Sequence, residues 1–251
     1  MRGNGGLVGR EGVIDRRQFE HFKAIERKRF AWQMSNPLVR EREERLVSPL
    51  RAYQGVILEV GSGEGANIAR LADGQRRIIG CDFSLPRLQF CRTVAPDVPL
   101  AVADAAYLPF ATDAVDVVFC RDVLHHLPDV EAAVREFFRV TKPGGRVIFV
   151  EASGQNPIIN LQARLLWAER GELQMSPERF LRLLSDHTGR PVQMEMAEPL
   201  PIDRLACHYR FGIPRLGQWR LSRALLRATS DFAGKLVPRR RWSYVIATAV
   251  K

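Results

Sequence analysis

The chain has 251 residues, 46% of them hydrophobic and 26% charged, which suits one sizeable α/β core and gives no reason to divide it into several domains. Cys81, Cys91, Cys120 and Cys207 show no paired metal-ligand spacing, which argues against structural zinc and for reduced thiols that fill apolar positions. No uninterrupted apolar stretch reaches membrane-spanning length, so a cytoplasmic protein without a metal is expected, and the net charge of +10 raises nucleic acid as a partner.

Met1 to Gly12 is glycine-rich and polar and lacks the charged and apolar regions of a secretory leader. Residues 3–12 read as a mobile lid over a substrate mouth; simple packing of the N-terminal helices on the sheet edge is the equal alternative. Asp15 to Met34 is predicted helical, with Phe19, Phe22, Ile25, Ala31 and Met34 broadly on one side, and Ser35-Asn36-Pro37 stops it. A second helix follows from about Val39 to Tyr53. The organisation is an N-terminal helical segment or lid over 1–54, a cofactor-binding core over 55–152, and the rest of the same domain over 153–251.

Val56 to Leu71 reads VILEVGSGEGANIARL, a buried strand that enters a Gly-x-Gly-x-Gly turn and then a helix. Gly61, Gly63 and Gly65 supply positive φ and a backbone without Cβ where a ligand lies against it, Ser62 sits between them, and the acid Glu59 stands just before. The next strand ends in Asp82, 21 positions after Gly61, where a carboxylate can accept hydrogen bonds from ribose hydroxyls. NAD, FAD and S-adenosylmethionine all share that ribose. Gly61-x-Gly63-x-x-Ala66 also fits the dinucleotide fingerprint, so the turn alone leaves these cofactors open. Taken singly, Asp82 could be a helix cap for Ser84 to Val94, and Asp104 a loop carboxylate.

Downstream, PLAVADAAYLPF places Asp104 near the end of a third strand, and AVDVVFCRDVLHHLPD gives a fourth strand that opens into a helix. A helix stopped by Pro143-Gly144-Gly145 and a fifth strand through Ala152 follow. Asp113 and Asp116 are assigned to turn and strand-entry hydrogen bonds, and Asp122 to a solvated or capping role. The ordered motifs EVGSGEG, Asp82, ADAAYLPF and HHLPD followed by KPGGRV make Gly55 to Ala152 resemble the class I S-adenosylmethionine-dependent methyltransferases. The similarity is to the small-molecule group related to ubiquinone and menaquinone biosynthesis.

The resemblance implies a Rossmann-like α/β fold with a mostly parallel seven-stranded sheet, helices on both faces and an antiparallel closing strand. It implies S-adenosylmethionine as cofactor, with Gly61, Gly63 and Gly65 along its methionine and ribose part and Glu59 at the amino-acid end. Asp82 would take the ribose hydroxyls and Asp104 the adenine amino group, with the backbone of Ala105 beside the ring and Phe83 on its face. Cys120 and Arg121 would border the methionine end. Physical reasoning agrees: a sulfonium and an ammonium favour nearby carboxylates. Val56 to Leu200 carries 19 acidic and 15 basic residues, a net of −4 within a basic chain.

Beyond the fifth strand, Asn156-Pro157 opens a segment with Asn160, Arg164, Trp167, Glu169 and Arg170 placed to meet an acceptor, since ligands lie beyond the strands' C-terminal ends; core packing is the commoner role for Trp167. Ser176 caps a helix that runs to about Asp186, Val192 to Met196 is a strand, and Trp242 to Val250 closes the sheet. Pro201 to Lys251 holds 11 basic and 2 acidic residues. Within it, Gln218 to Val237 is a predicted helix with Leu221, Leu225, Ala228, Phe232 and Leu236 on one side and Arg220, Arg223 and Arg227 on another. The favoured expectation is that the stripe packs inward and leaves a solvated basic face; contact with an anionic membrane surface or with phosphate is the alternative.

The expected function is methyl transfer to a small molecule, lipid-like or phosphate-bearing, with oligomeric state left open. Nucleic acid is disfavoured, because Arg121-Asp122-Val123-Leu124 stands where amine-modifying nucleic-acid methyltransferases carry an Asn/Asp-Pro-Pro-aromatic tetrad. An NAD-dependent oxidoreductase and a catalytically silent cofactor-binding protein also stay open. His126 and His125 follow the fourth strand near the expected methyl position and are the candidates for a general base; a backbone hydrogen-bonding role competes with it.

Overall fold

The computed structural model describes residues 16–74, 76–209 and 212–251, and their side chains except those of residues 16–25, 167 and 168. The proposed lid at 3–12, the side chains of Phe19, Phe22 and Ile25, and that of Trp167 lie outside the described residues.

Helix α1 spans Arg16–Ser35 and α2 spans Pro37–Val47. Between them Asn36 ends one helix and starts the next, its Oδ1 accepting from the backbone N–H groups of Leu38 and Val39, with Pro37 at the first helical position. The predicted second helix is shorter than expected at its C-terminal end. Pro49 cannot donate to an α-helical ladder, so Ser48–Ala52 tightens into a 3-10 turn.

The strands are β1 Val56–Val60, β2 Arg77–Asp82, β3 Leu100–Val102, β4 Val115–Arg121, β5 Thr141–Ala152, β6 Gln193–Ala197 and β7 Tyr244–Val250. They form one seven-stranded sheet in the order β3-β2-β1-β4-β5-β7-β6. Strands β1 to β5 pair in parallel, and β7 runs antiparallel to both its neighbours. The chain moves outward from β1 to β2 and β3, then returns to lay β4 on the other side of β1. That reversal makes the C-terminal ends of β1 and β4 the topological switch point, where ligands bind in open α/β sheets.

Alternation along the strands divides the core between the two faces. Leu58, Val118, Phe149 and Ala247 point to the side covered by α5 (Val130–Val140) and α7 (Pro177–Ser185), with Phe137 and Phe180 among the filling residues. Ile57, Val117, Ile148 and Ile246 point to the other, with Leu46 of α2 and the helices α3 (Ala66–Leu71) and α4 (Leu85–Val94). Cys120, expected at the methionine end, is fully buried on the first of these faces. Asp116 acts as predicted for strand entry: it accepts from the Val56 N–H and pairs with Lys142.

The remaining helices are α6 (Pro157–Leu165), α8 (Ile202–Ala206) and α9 (Arg220–Leu236). Ser176 caps α7 as predicted, accepting from the Arg179 N–H. One expectation about a helix face fails, that for α9. In the described part of α1 the buried positions are the polar Glu26 and Gln33, whereas Ala31 is exposed. In α9 the apolar stripe faces outward: Leu221 is 83% and Leu225 66% exposed, and Ala233 is the one buried residue of 17. Among the described residues, no helix is long and apolar enough to cross a membrane.

Candidate active site

The glycine turn takes its shape from β1 and β2. Gly61 and Ser62 both donate their N–H groups to the Cys81 carbonyl, and Gly61, Gly63 and Gly65 all have positive φ. Their surroundings differ. A Cβ at Gly61 would strike Val123, one at Gly65 would strike Cys91, and one at Gly63 would meet nothing within 4 Å. Gly63 is therefore where the turn offers bare backbone to open space, while the other two glycines permit close packing within the protein. Ser62 is turned inward, its hydroxyl lying towards Gly80 of β2.

Asp82 clamps this turn. Its Oδ2 accepts from the Gly63 N–H at 2.9 Å and its Oδ1 from the Ser84 N–H at 2.8 Å, so the carboxylate fixes both the cradle and the entry to α4. Asp104 lies exposed one loop away, with Oδ1 accepting from Ala106 N–H at 2.9 Å. Ala105 is buried, and Phe83, 70% exposed, presents an uncovered ring. Tyr107 is bridged to Asp104 and 79% exposed; its value as a second aromatic surface was not legible without the loop geometry.

Glu59 is buried at the end of β1. Its Oε1 accepts from Asn67 Nδ2 at 2.8 Å, and its Oε2 has no hydrogen-bond partner. Burial pushes its carboxyl up to about 8, against the opposing hydrogen bond from Asn67 and the charge of Arg121. Arg121 reaches Asn67 Oδ1 at 3.2 Å and pairs with Glu43 of α2 at 2.7 Å. Arg121 thus borders the site, held by the N-terminal segment. That segment also closes over the turn: Gln33 of α1 donates to Glu64 Oε1 at 2.9 Å, and Arg29 stands 3.4 Å from the same oxygen. Glu43 and Gln33 do not stand out in the sequence, because a charged helix face resembles a solvated one.

The loop after β4 is organised by a buried acid from β5. Glu151 Oε1 accepts from the N–H groups of Val123 and Leu124, both at 2.7 Å, and Oε2 lies 2.8 Å from His125 Nδ1. Glu169, from the turn after α6, stands 3.5 Å from His125 Nε2. Burial alone would lower His125, but the two carboxylates overcome it and raise the imidazole to about 10. Facing that charge, Glu169 is held down at about 2. With Nδ1 on Glu151 and Nε2 facing Glu169, His125 is held towards its protonated form, which suits it less well than His126 to take up a proton. The His126 ring lies 3.9 Å from that of His125, and partial burial of the imidazole together with the neighbouring charge lowers it to about 4, although other parts of the residue reach solvent. At neutral pH it is an unprotonated imidazole.

His125, His126 and Glu169 bring ligand-type atoms within 4.8 Å of one another, a grouping that cysteine spacing does not reveal. Asp122 departs from its expected solvated role: it holds φ +49 at the end of β4, and its buried Oδ1 lacks a hydrogen-bond partner.

An open glycine turn at the point where strand order reverses, in a seven-stranded sheet whose last strand is antiparallel, defines the class I methyltransferase fold of the S-adenosylmethionine-dependent enzymes. Residues 58–149 match the methyltransferase domain family. It is 31% identical over 150 residues to a demethylmenaquinone methyltransferase of Streptomyces avermitilis, covering 57% of this chain and 65% of that one. A demethylmenaquinone methyltransferase of Corynebacterium urealyticum is 32% identical over 152 residues, covering 57% and 64%. The match thus spans just under two thirds of these relatives' lengths.

Solved structures with the same fold include a Haemonchus contortus phosphoethanolamine N-methyltransferase 2 in complex with S-adenosylmethionine, with TM-score 0.68 at 18% identity, covering 98% of this chain and 60% of that one. A methyltransferase from Archaeoglobus fulgidus gives 0.63 at 19% identity, covering 92% and 99%.

Proposed function

We propose that the chain transfers a methyl group from S-adenosylmethionine to a small, lipid-like acceptor of quinone type. The observation that carries the cofactor assignment is the cradle itself: open backbone at Gly63, gripped by Asp82, beside the buried Glu59 with an unpartnered Oε2. A cationic ligand supplies what that oxygen lacks. The acceptor class rests on the similarity to demethylmenaquinone methyltransferases.

When bound, the cofactor supplies an activated methyl group for in-line displacement, so the protein's task is to position the acceptor and, for a hydroxyl or an acidic carbon, to take up a proton. Glu59, Gly63 and Asp82 hold the amino-acid and ribose parts, with Arg121 bordering the methionine end. Asp104, Ala105 and Phe83 frame the adenine. His126 accepts the acceptor's proton on an imidazole nitrogen, and Glu151 acts as a positioning residue by fixing the His125 ring against which His126 rests.

Calorimetry with S-adenosylmethionine, S-adenosylhomocysteine and NAD tests the cofactor; saturable binding of NAD alone would overturn the assignment. A labelled-methyl assay on demethylated quinols, with phosphoethanolamine and RNA as comparison acceptors, tests the acceptor class. Transfer confined to RNA or phosphoethanolamine would replace it.

A further inference from the structure

Helix α9 is built against the usual order of a surface helix. Leu221, Leu225, Ala228, Phe232 and Leu236 recur at intervals of four, three, four and four residues and therefore line one side, and that side is exposed. Phe232 and Leu236 are 61% and 67% exposed, and Trp219, just before the helix, is 59% exposed. The inward face offers Leu226 and Ser230, set over a groove of about 700 Å³ between α2, α8 and β6 rather than against a packed core. An apolar stripe of this length left in water needs a partner.

Charge identifies the partner. Arg220, Arg223 and Lys235 accompany the stripe, exposed Arg239, Arg240 and Arg241 follow it, and Asp231 is the one acid within the helix. Arg227 is engaged by Glu41 of α2. From Pro201 onward the chain carries 11 basic residues against 2 acidic ones. A second copy of the chain would bring the same positive charge to the contact and be repelled, and nucleic acid would use the arginines but leave the leucines in water. An anionic bilayer satisfies both, taking the stripe at the level of its acyl boundary and the arginines at its headgroups.

We infer that α9 is a peripheral docking element for an anionic lipid surface. The inference stands on α9 itself and meets the methyl-transfer reading only in naming where a lipid-like acceptor is encountered. The test is co-sedimentation of the full chain with phosphatidylglycerol/phosphatidylcholine vesicles and with phosphatidylcholine alone, at low and high salt. The chain should sediment with the anionic vesicles, less at high salt and little with neutral ones. The double variant Leu225→Gln/Phe232→Gln should bind about tenfold or more weakly. Replacing Arg239, Arg240 and Arg241 by Ser should weaken binding by roughly two orders of magnitude.

These positions are exposed, so folding and S-adenosylmethionine binding should be unchanged in both variants, which separates failure of docking from failure of the cofactor assignment. Equal binding to both vesicle types, or full binding by the Leu225/Phe232 variant, overturns the inference. So does a dimer that this variant dissolves while vesicles remain unbound, or RNA binding lost only with the arginines.

Discussion

The three glycines of the cofactor turn are alike in sequence and unlike in what they make possible. Gly61 has φ +74 with the Val123 side chain where its Cβ would lie, so Gly61→Ala must move the loop after β4 as well as strain its own backbone. Gly63 has φ +54 and free space, so Gly63→Ala incurs the left-handed backbone cost alone, about 1–2 kcal/mol. Chemical denaturation should show Gly61→Ala as the more destabilising of the two, and calorimetry should show Gly63→Ala still folded with at least tenfold weaker cofactor binding. A second residue-scale expectation concerns the histidines. His126 is depressed partly by the charge on His125, and that charge is maintained by Glu151 and Glu169. If His126 is the base, the acid limb of kcat/KM lies near pH 4. Glu151→Gln weakens the hold on the His125 proton, so the limb should move up from pH 4 but stay below the ordinary imidazole value of about 6.5 because burial remains, whereas His126→Ala should remove it. A pH-rate profile of the three proteins decides the matter.

At the scale of elements, asparagine before proline does more than start a helix. Asn156 caps α6 by accepting from Ile158 and Ile159, and its Nδ2 donates to the carbonyls of Pro199 and Arg241 at 2.9 and 2.8 Å. Asn36 repeats the device, capping α2 and donating to Pro214 O. Each therefore fastens the C-terminal segment to a helix start. Ser176 caps α7 without such a tie, so Ser176→Ala should cost about 1 kcal/mol and Asn156→Ala about 2 kcal/mol or more, since two partly buried carbonyls also lose their donor. Thermal denaturation of the two variants compares them. The Ser176 cap was legible because Ser-Pro puts the acceptor and the missing N–H at adjacent positions, whereas Asn36-Pro37 reads as a helix stop and Asn156-Pro157 only as the opening of a segment. The strands β1, β2, β4 and β5 were legible as apolar runs ended by glycine or acid. Orientation was less so: the α9 stripe is correct as a period, but periodicity does not say whether a stripe meets the sheet or the solvent. In α1 the opposite happened, because polar Glu26 and Gln33 face inward to serve a charged site. The link from Glu151 to His125 crosses from β5 to the loop after β4, and nothing local to either segment announces it.

Across the whole molecule, buried ionisable groups tie the three segments together and make stability depend on pH. Arg42 of α2 pairs with Glu43 and with Asp203 of α8, Arg121 of β4 pairs with Glu43, and Arg204 of α8 pairs with Glu172. Glu59 is raised from 4.5 to about 8 and His125 from 6.5 to about 10, so over those intervals the folded state holds protons that the unfolded chain has released. Stability from His125 is full below pH 6.5 and is lost as pH rises through about 10, and Glu59 weakens the fold as pH climbs from 4.5 to 8. Glu43 and Glu169, lowered from 4.5 to about 2, act on the other side: their contribution is present above pH 4.5 and lost as pH falls towards 2. Denaturant midpoints should therefore peak between about pH 4.5 and 6.5. Glu59→Gln should flatten the decline from 4.5 to 8, and Glu151→Gln that from 6.5 to 10. The same linkage reaches the ligand. A sulfonium and ammonium beside Glu59 favour its charged form, so cofactor binding at pH 7 should expel a proton, seen as a calorimetric heat that varies with the ionisation enthalpy of the buffer. In Glu59→Gln that dependence should vanish; its persistence would place the released proton elsewhere and separate Glu59 from the cofactor's cationic end.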